Sequence, residues 1–105
     1  MFLAFFTERD ERQVLMDENF FTGYRKTDAL HDEILLSIHI PYTSKDEYMY
    51  GYKQSRRRGD DIAIVNAGMK VIFRNESDIV QNLVLVYGGM GPTMVMASNT
   101  MKVHI

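Results

Sequence analysis

The sequence predicts an α+β protein built mainly from an antiparallel sheet of about four strands, with few helices. The first observation is its size and composition: 105 residues, 46% hydrophobic and 25% charged, which is typical of one globular domain. The second is that apolar and polar residues alternate at period two in several segments. The third is that the segments are joined by connections too short for crossover helices, so neighbouring strands run antiparallel.

Composition also excludes several classes of function. The chain has no cysteine, which rules out a disulfide scaffold, an iron–sulfur cluster, a thiolate zinc site and a cysteine nucleophile within it. Its longest apolar run is far shorter than the roughly 18 residues that span a bilayer, so no membrane contact is expected. The apolar first six residues lack basic flanks and a cleavage site. They are interpreted as a buried strand rather than a secretory signal, which favours a cytoplasmic location.

The first elements follow from short apolar runs separated by charge. Residues 2–6 and 12–16 are predicted to be strands, joined by a charged turn at residues 7–11. Asp17 is expected to cap a short helix or turn, which Gly23 interrupts.

Residues 33–40 form the next predicted strand, which Pro41 ends. Alternate positions make an apolar stripe that is expected to be buried: Ile34, Leu36, Ile38 and Ile40. Leu35 lies on the opposite, mixed face together with Ser37 and His39.

The following strand, residues 48–54, separates two kinds of side chain. One face carries Tyr48, Tyr50 and Tyr52, and the other carries Met49, Gly51 and Lys53. A glycine inside a strand often marks a place where another group approaches the backbone closely.

An exposed loop at residues 56–61 leads to a long strand at 62–73, a polar turn at 74–78 and a fourth strand at 79–87. Residues 88–93 (GGMGPT) then break the pattern, and a helix is expected to begin near Met96. The glycines favour a sharp exit from the sheet, and a phosphate cradle is the alternative. Because the last helix has room for barely two turns, the chain resembles a piece of something larger.

The sequence lacks the common motifs of nucleotide binding and hydrolysis. The sequence has no dinucleotide, Walker A or nucleophile-elbow pattern. Its three histidines, His31, His39 and His104, are far apart, so no metal site is expected.

Arg56, Arg57 and Arg58, close to three strand tyrosines, suggest one alternative function, a stand-alone interaction module that binds an anionic partner such as RNA. Two aspartates follow at once and the net charge is −2. Because binding driven by phosphate neutralisation needs a basic surface, a solvated loop is favoured and no nucleic-acid partner is expected.

Six segments, in this order, resemble the flavin-domain region of the xanthine dehydrogenase and aldehyde oxidase family. They are residues 20–27 (FFTGYRKT), 33–38 (EILLSI), 40–42 (IPY), 52–54 (YKQ), 60–63 (DDIA) and 87–90 (YGGM). Residues 88–93 also resemble the flavoprotein of carbon monoxide dehydrogenases. The resemblance implies a carbon monoxide dehydrogenase flavoprotein C-terminal domain-like fold. It makes residues 1–27 the end of the FAD-binding subdomain and residues 28–105 the subdomain that follows, truncated at its C-terminus.

The family's activity gives the functional expectation. Its members pass electrons from a molybdopterin centre through two iron–sulfur clusters to FAD, and then to NAD or oxygen. The resemblance therefore implies a fragment of a xanthine dehydrogenase-like oxidoreductase of purine catabolism, with FAD as the cofactor of this region. The molybdopterin and iron–sulfur clusters belong to the missing domains, which would be its partners in a homodimeric enzyme. The isolated chain is expected to be inactive.

The resemblance also carries over individual positions. Leu35 and Lys53 match FAD contacts, and Arg57, Arg58 and Asp60 match a charged loop beside the flavin. A lysine ammonium near the flavin would stabilise the negative charge of the reduced ring. The chain departs from the family pattern at Arg56, where a small polar residue is common, and at Gly59, where an acid is common.

Overall fold

The computed structural model describes residues 1–8 and 10–103 of the chain. These residues form two compact units, one of Met1–Tyr42 and one that begins at Thr43. In this described part the strands pair antiparallel and one short helix is present. The predicted α+β class, dominated by antiparallel sheet, is confirmed. The family subdomain boundary expected after Thr27 stays a prediction.

The first unit has a three-stranded sheet with its first strand in the middle. Strand β1 (Phe2–Phe6) pairs with β2 (Glu11–Leu15) on one side and with β5 (Ile34–His39) on the other. Strands β3 (Phe21–Gly23) and β4 (Lys26–Thr27) form a small separate hairpin. The predicted strands at residues 2–6 and 12–16 are thus present, the second shifted by one residue.

A small apolar core holds the first unit together. Leu3 and Phe5 of β1 are 6% and 4% exposed, and Phe20 is 8% exposed. Partly buried side chains pack around these three: Val14, Met16, Phe21 and Ala29. Burial of these groups is the main favourable contribution to the folding of the unit.

The possible helix after Asp17 is not formed. Asp17 Oδ1 accepts the backbone N–H of Asn19 at 2.9 Å, and the Asp17 carbonyl accepts the N–H of Phe20 at 3.2 Å. These bonds make a turn that leads directly into β3. A short polar side chain that bonds the backbone two residues on favours such a turn over a helix.

An arginine–carboxylate cluster fixes the segment that precedes β5. The Glu33 side chain is 2% exposed and receives Arg12 Nε at 2.8 Å, Arg12 Nη2 at 2.7 Å and the Leu30 N–H at 2.8 Å. Arg12 also contacts Asp28 Oδ2 at 3.1 Å. The hydrogen bond from Arg12 is the main reason that the pKa of Glu33 lies below its ordinary value. The cluster therefore ties the start of β5 to β2.

The predicted burial of alternate residues in this strand is wrong. Every residue of β5 is exposed, including Ile34 at 67% and Leu36 at 54%. The strand is an edge of its sheet, paired only with β1. Within the first unit no described element packs on either face of β5, so alternation alone does not bury the stripe.

The second unit is a four-stranded antiparallel meander followed by a helix. Its strands are β6 (Glu47–Ser55), β7 (Ala63–Phe73), β8 (Val80–Gly88) and β9 (Val95–Met96), in that spatial order. Helix α1 (Ser98–Val103) lies against β8, where Met101 Sδ accepts the Leu85 N–H at 3.2 Å. The three longer strands were predicted, whereas the two-residue β9 was not.

Residues 88–93 provide the sharp exit from the sheet that their glycines predicted. Strand β8 ends at Gly88, and Gly89 has a φ of 81°, in the left-handed region that favours glycine. A Cβ on Gly89 would collide with the backbone carbonyl oxygen of Ile64. The glycine is therefore explained by backbone packing alone.

Candidate functional site

A glycine pair forms the centre of one face of the second sheet. In the β6–β7 register Gly51 lies opposite Gly68, with Met49 opposite Lys70 on one side and Lys53 opposite Asn66 on the other. Directly opposed residues lie on the same face of a sheet. A Cβ built on Gly51 or on Gly68 would meet no atom within 4 Å. We call this surface the glycine face, with residues Met49, Gly51, Lys53, Asn66, Gly68 and Lys70.

The tyrosines occupy the other face of β6, as predicted from alternation. Tyr50 and Tyr52 are 66% and 54% exposed, and their ring centroids lie 4.9 Å apart. Lys53 and Gly51 therefore share a surface from which the three tyrosines are excluded. This separation leaves the glycine face flat at its centre.

Lys53 is held by a carboxylate that the sequence pattern did not assign to the site. Its Nζ lies 2.6 Å from Asp61 Oδ2, and the two side chains are 49% and 50% exposed. Asp60 has a φ of 47°, and its carbonyl accepts the Ile62 N–H at 2.9 Å. This tight turn places Asp61 at the base of the β6–β7 loop. The hydrogen bond from Lys53, followed by that from its own backbone N–H, lowers the pKa of Asp61.

We expect Lys53→Met to raise the pKa of Asp61 towards its ordinary value, because the main cause of the lowering is removed. In the original chain the pair contributes stability above the ordinary value of 3.8, and this stability is lost as the pH falls through the lowered pKa. Carboxyl ¹³C NMR over a pH titration measures the shift. Lys70→Met is the matched control and should leave Asp61 unchanged, while an unchanged Asp61 in Lys53→Met would contradict the pairing.

The second lysine of the glycine face also has a carboxylate partner. Lys70 Nζ lies 3.2 Å from Glu47 Oε1, and the Ser44 N–H donates to Glu47 Oε2 at 3.1 Å. The bond from Ser44, and then that from Lys70, lowers the pKa of Glu47. Each end of the glycine face therefore carries an ion pair rather than an isolated charge.

The predicted loop residues do not act as a block of positive charge. Arg57 Nη2 contacts Asp60 Oδ2 at 3.3 Å, which partly neutralises both groups. Within residues 1–8 and 10–103, Arg56 and Arg58 make no ion pair. The loop thus presents two unpaired guanidinium groups and one paired group to solvent.

Leu35 lies on β5 in the first unit, opposite Phe5, and is 46% exposed. Its side chain is accessible to a ligand, as is that of Lys53 in the second unit. Each position is established within its own unit. That Leu35 and Lys53 contact one FAD stays a prediction.

In the described part of the chain, no three His, Asp or Glu side chains are placed to hold a metal ion. His104 lies outside that part. No helix within residues 1–8 and 10–103 has the length and apolar character needed to cross a membrane.

Comparison with known proteins identifies the domain type. The sequence model of the family described as "CO dehydrogenase flavoprotein C-terminal domain" matches residues 50–105. Among solved structures, carbon monoxide dehydrogenase from Hydrogenophaga pseudoflava superposes with a TM-score of 0.84 at 18% identity, over 99% of this chain and 35% of that chain. Quinoline 2-oxidoreductase from Pseudomonas putida gives 0.82 at the same identity, over 99% of this chain and 34% of that chain. The fold is that of a flavoprotein C-terminal domain.

Sequence relatives narrow this class. Xanthine dehydrogenase/oxidase of Gallus gallus is 48% identical over 100 residues, which is 95% of this chain and 7% of that relative. Aldehyde oxidase 1 of Oryctolagus cuniculus is 39% identical over 94 residues, which is 90% of this chain and 7% of that relative. The chain belongs to the xanthine dehydrogenase and aldehyde oxidase family and carries its flavoprotein C-terminal domain. It spans 7% of the length of these relatives.

Proposed function

We propose that the chain forms part of the FAD pocket of a molybdenum–flavin hydroxylase resembling xanthine dehydrogenase, with Leu35 and Lys53 contacting the FAD. In the whole enzyme, electrons from purine oxidation would reach the flavin and leave to NAD or oxygen. The remaining domains of the parent enzyme would be the partners of this chain, in a cytoplasmic homodimer. One observation carries the proposal: Lys53 lies beside an open pair of glycines on an exposed sheet face.

The residues of the glycine face suit a flat, electron-accepting ring. Without Cβ atoms at Gly51 and Gly68, a planar group can approach the backbone closely. The Lys53 ammonium has three donor hydrogens, and the contact with Asp61 occupies one of them. When bound, FAD would supply the redox chemistry, because its ring system can take up electrons one at a time and hold two. The protein's part is to orient the ring and to set the charge around it.

The loop at residues 56–61 would lie beside the flavin and adjust that charge. An aspartate there disfavours negative charge on the reduced ring, and an arginine favours it. Asp60 is paired with Arg57, which weakens the effect of both. The unpaired Arg56 and Arg58 therefore contribute most of the loop's charge, and the loop would favour reduction of the flavin.

A full-length chimera tests the proposal. It consists of the Gallus gallus relative in which the matching segment is replaced by this chain. We expect the chimera to retain FAD, and Lys53→Met to lower the reduced-to-oxidised flavin ratio about three- to tenfold at a fixed potential, because a nearby positive charge is lost. Spectroscopic redox titration gives this ratio, and FAD content after gel filtration gives retention.

Lys45→Met is the matched control for the chimera. Lys45 is 76% exposed and pairs with Glu76, so its loss should leave the flavin ratio unchanged. A chimera that loses FAD, or a Lys53→Met variant with unchanged flavin content and ratio, would contradict the proposed pocket.

The RNA-binding alternative has weaker support. Of the cations near the loop, Arg57 and Lys53 are paired with Asp60 and Asp61. Phosphate neutralisation gains little from cations that already have carboxylate partners. Strong, steeply salt-dependent binding of the chain to single-stranded RNA would favour this alternative.

A further inference from the structure

We propose that Asp61 is a positioning residue for Lys53: it holds the lysine ammonium on the glycine face and sets how much of its positive charge a ligand there meets. The inference rests on the proposed function, because it assumes that Lys53 contacts the flavin. Asp61 was not among the site residues that the sequence predicted. It enters the site only through its 2.6 Å contact with Lys53.

The local backbone gives Asp61 a fixed direction. Asp60 adopts a left-handed φ of 47°, and the Ile62 N–H bonds back to the Asp60 carbonyl at 2.9 Å, so the chain turns tightly around Asp61. Strand β7 begins two residues later, at Ala63. The carboxylate is therefore anchored next to a regular strand. Lys53 in turn reaches it by a flexible four-carbon stem that would otherwise sample many rotamers.

The two adjacent aspartates have different partners. Asp60 contacts Arg57 within the loop, at 3.3 Å. Asp61 contacts Lys53 on β6, at 2.6 Å. Only Asp61 connects the loop to the glycine face, so a change at Asp61 acts on Lys53 directly.

The pair also limits the field that Lys53 produces. A carboxylate within ion-pair distance makes the two groups a dipole, whose effect falls off faster with distance than that of a single charge. Lys53 keeps donor hydrogens for a ligand while its net charge is largely offset. Removing the carboxylate should therefore have the opposite effect to removing the lysine.

The experiment is a double-variant cycle in the full-length chimera. Asp61→Asn keeps an oxygen that can accept from Lys53 but removes the negative charge. We expect it to raise the reduced-to-oxidised flavin ratio about three- to tenfold at a fixed potential, whereas Lys53→Met lowers it. In the Lys53→Met background, Asp61→Asn should raise the ratio clearly less than in the original chain, because only the direct field of the carboxylate remains and its positioning of Lys53 is absent.

Two further variants separate this role from a purely structural one. Asp61→Glu keeps the charge and should return the ratio close to that of the original chain. Asp78→Asn removes an equal charge from the exposed turn between β7 and β8 and should have no effect. A structural defect would instead appear as FAD loss in both Asp61 variants and would overturn the inference.

The outcomes distinguish the two proposals. If Lys53→Met shifts the flavin ratio and Asp61→Asn does not, the proposed pocket stands and the role of Asp61 is wrong. That role is equally wrong if the effect of Asp61→Asn persists in full without Lys53. If Lys53→Met has no effect, the proposed pocket itself fails, and the inference fails with it.

Discussion

Replacing Phe5 with alanine is expected to destabilise the first unit by about 3–5 kcal/mol, the usual cost of removing a buried phenylalanine. Phe5 is 4% exposed and lies on the central strand of its sheet. It packs with Leu3 and Phe20, the other buried members of the core cluster. Arg12 also lies 5.7 Å from its ring centroid, so the substitution removes a cation–π contact as well.

A loss of this size is comparable to the whole stability of many small domains. We therefore expect amide hydrogens of β1 and β2 to lose their protection from exchange in Phe5→Ala. Hydrogen exchange followed by NMR measures this at each residue. Phe6→Ala is the matched control, since the neighbouring phenylalanine is 46% exposed and should cost less than about 1 kcal/mol. Equal exchange in the two variants would show that the core is not where the structure places it.

Alternation along the sequence predicted strand β6 and its two faces. It placed Gly51 and Lys53 together and the tyrosines opposite, as the structure confirms. It could not identify Gly68, because the β6–β7 register shifts between Gln54 and Ser55. If the pairing continued from Ser55 and Ala63 without this bulge, Gly51 would lie opposite Ala67 instead of Gly68. The two glycines would then not be paired at the centre of the glycine face.

The sequence also could not predict which charged side chains of the β6–β7 loop form ion pairs with each other. Two consecutive aspartates follow three arginines, and nothing in their order indicates which acid contacts which base. The left-handed turn at Asp60 decides the matter by directing Asp61 away from the loop and towards Lys53. The choice of Leu35 and Lys53 as FAD contacts came from the family resemblance rather than from periodicity.

The failure on β5 has a different cause. The alternation of apolar and polar residues correctly predicted that β5 is a strand. Whether one face of the strand is buried depends on which element packs against that face, and the sequence of the strand itself does not specify this. Ile34, Leu36 and Ile38 would be covered only by another element packed on the sheet.

Gly89→Ala is expected to give the largest loss in the second unit. The left-handed φ of 81° alone costs a non-glycine residue about 1–3 kcal/mol. The added Cβ would also collide with the Ile64 carbonyl oxygen, which belongs to strand backbone and cannot rotate away. This collision can be avoided only if the start of β7 moves. Because Asp61 lies in the loop directly before that strand, the ion pair between Lys53 and Asp61 should be disturbed as well.

Urea denaturation of the chain, together with the carboxyl ¹³C signal of Asp61, measures both effects of Gly89→Ala. We expect a lower urea midpoint and an Asp61 pKa that rises towards 3.8. Gly59→Ala is the matched control: a Cβ there meets no atom within 4 Å, so stability should change by less than about 1 kcal/mol. If Gly89→Ala were as stable as Gly59→Ala, the exit from β8 would not need glycine. A phosphate-binding role for residues 88–93 would then regain support, because backbone packing would no longer explain them.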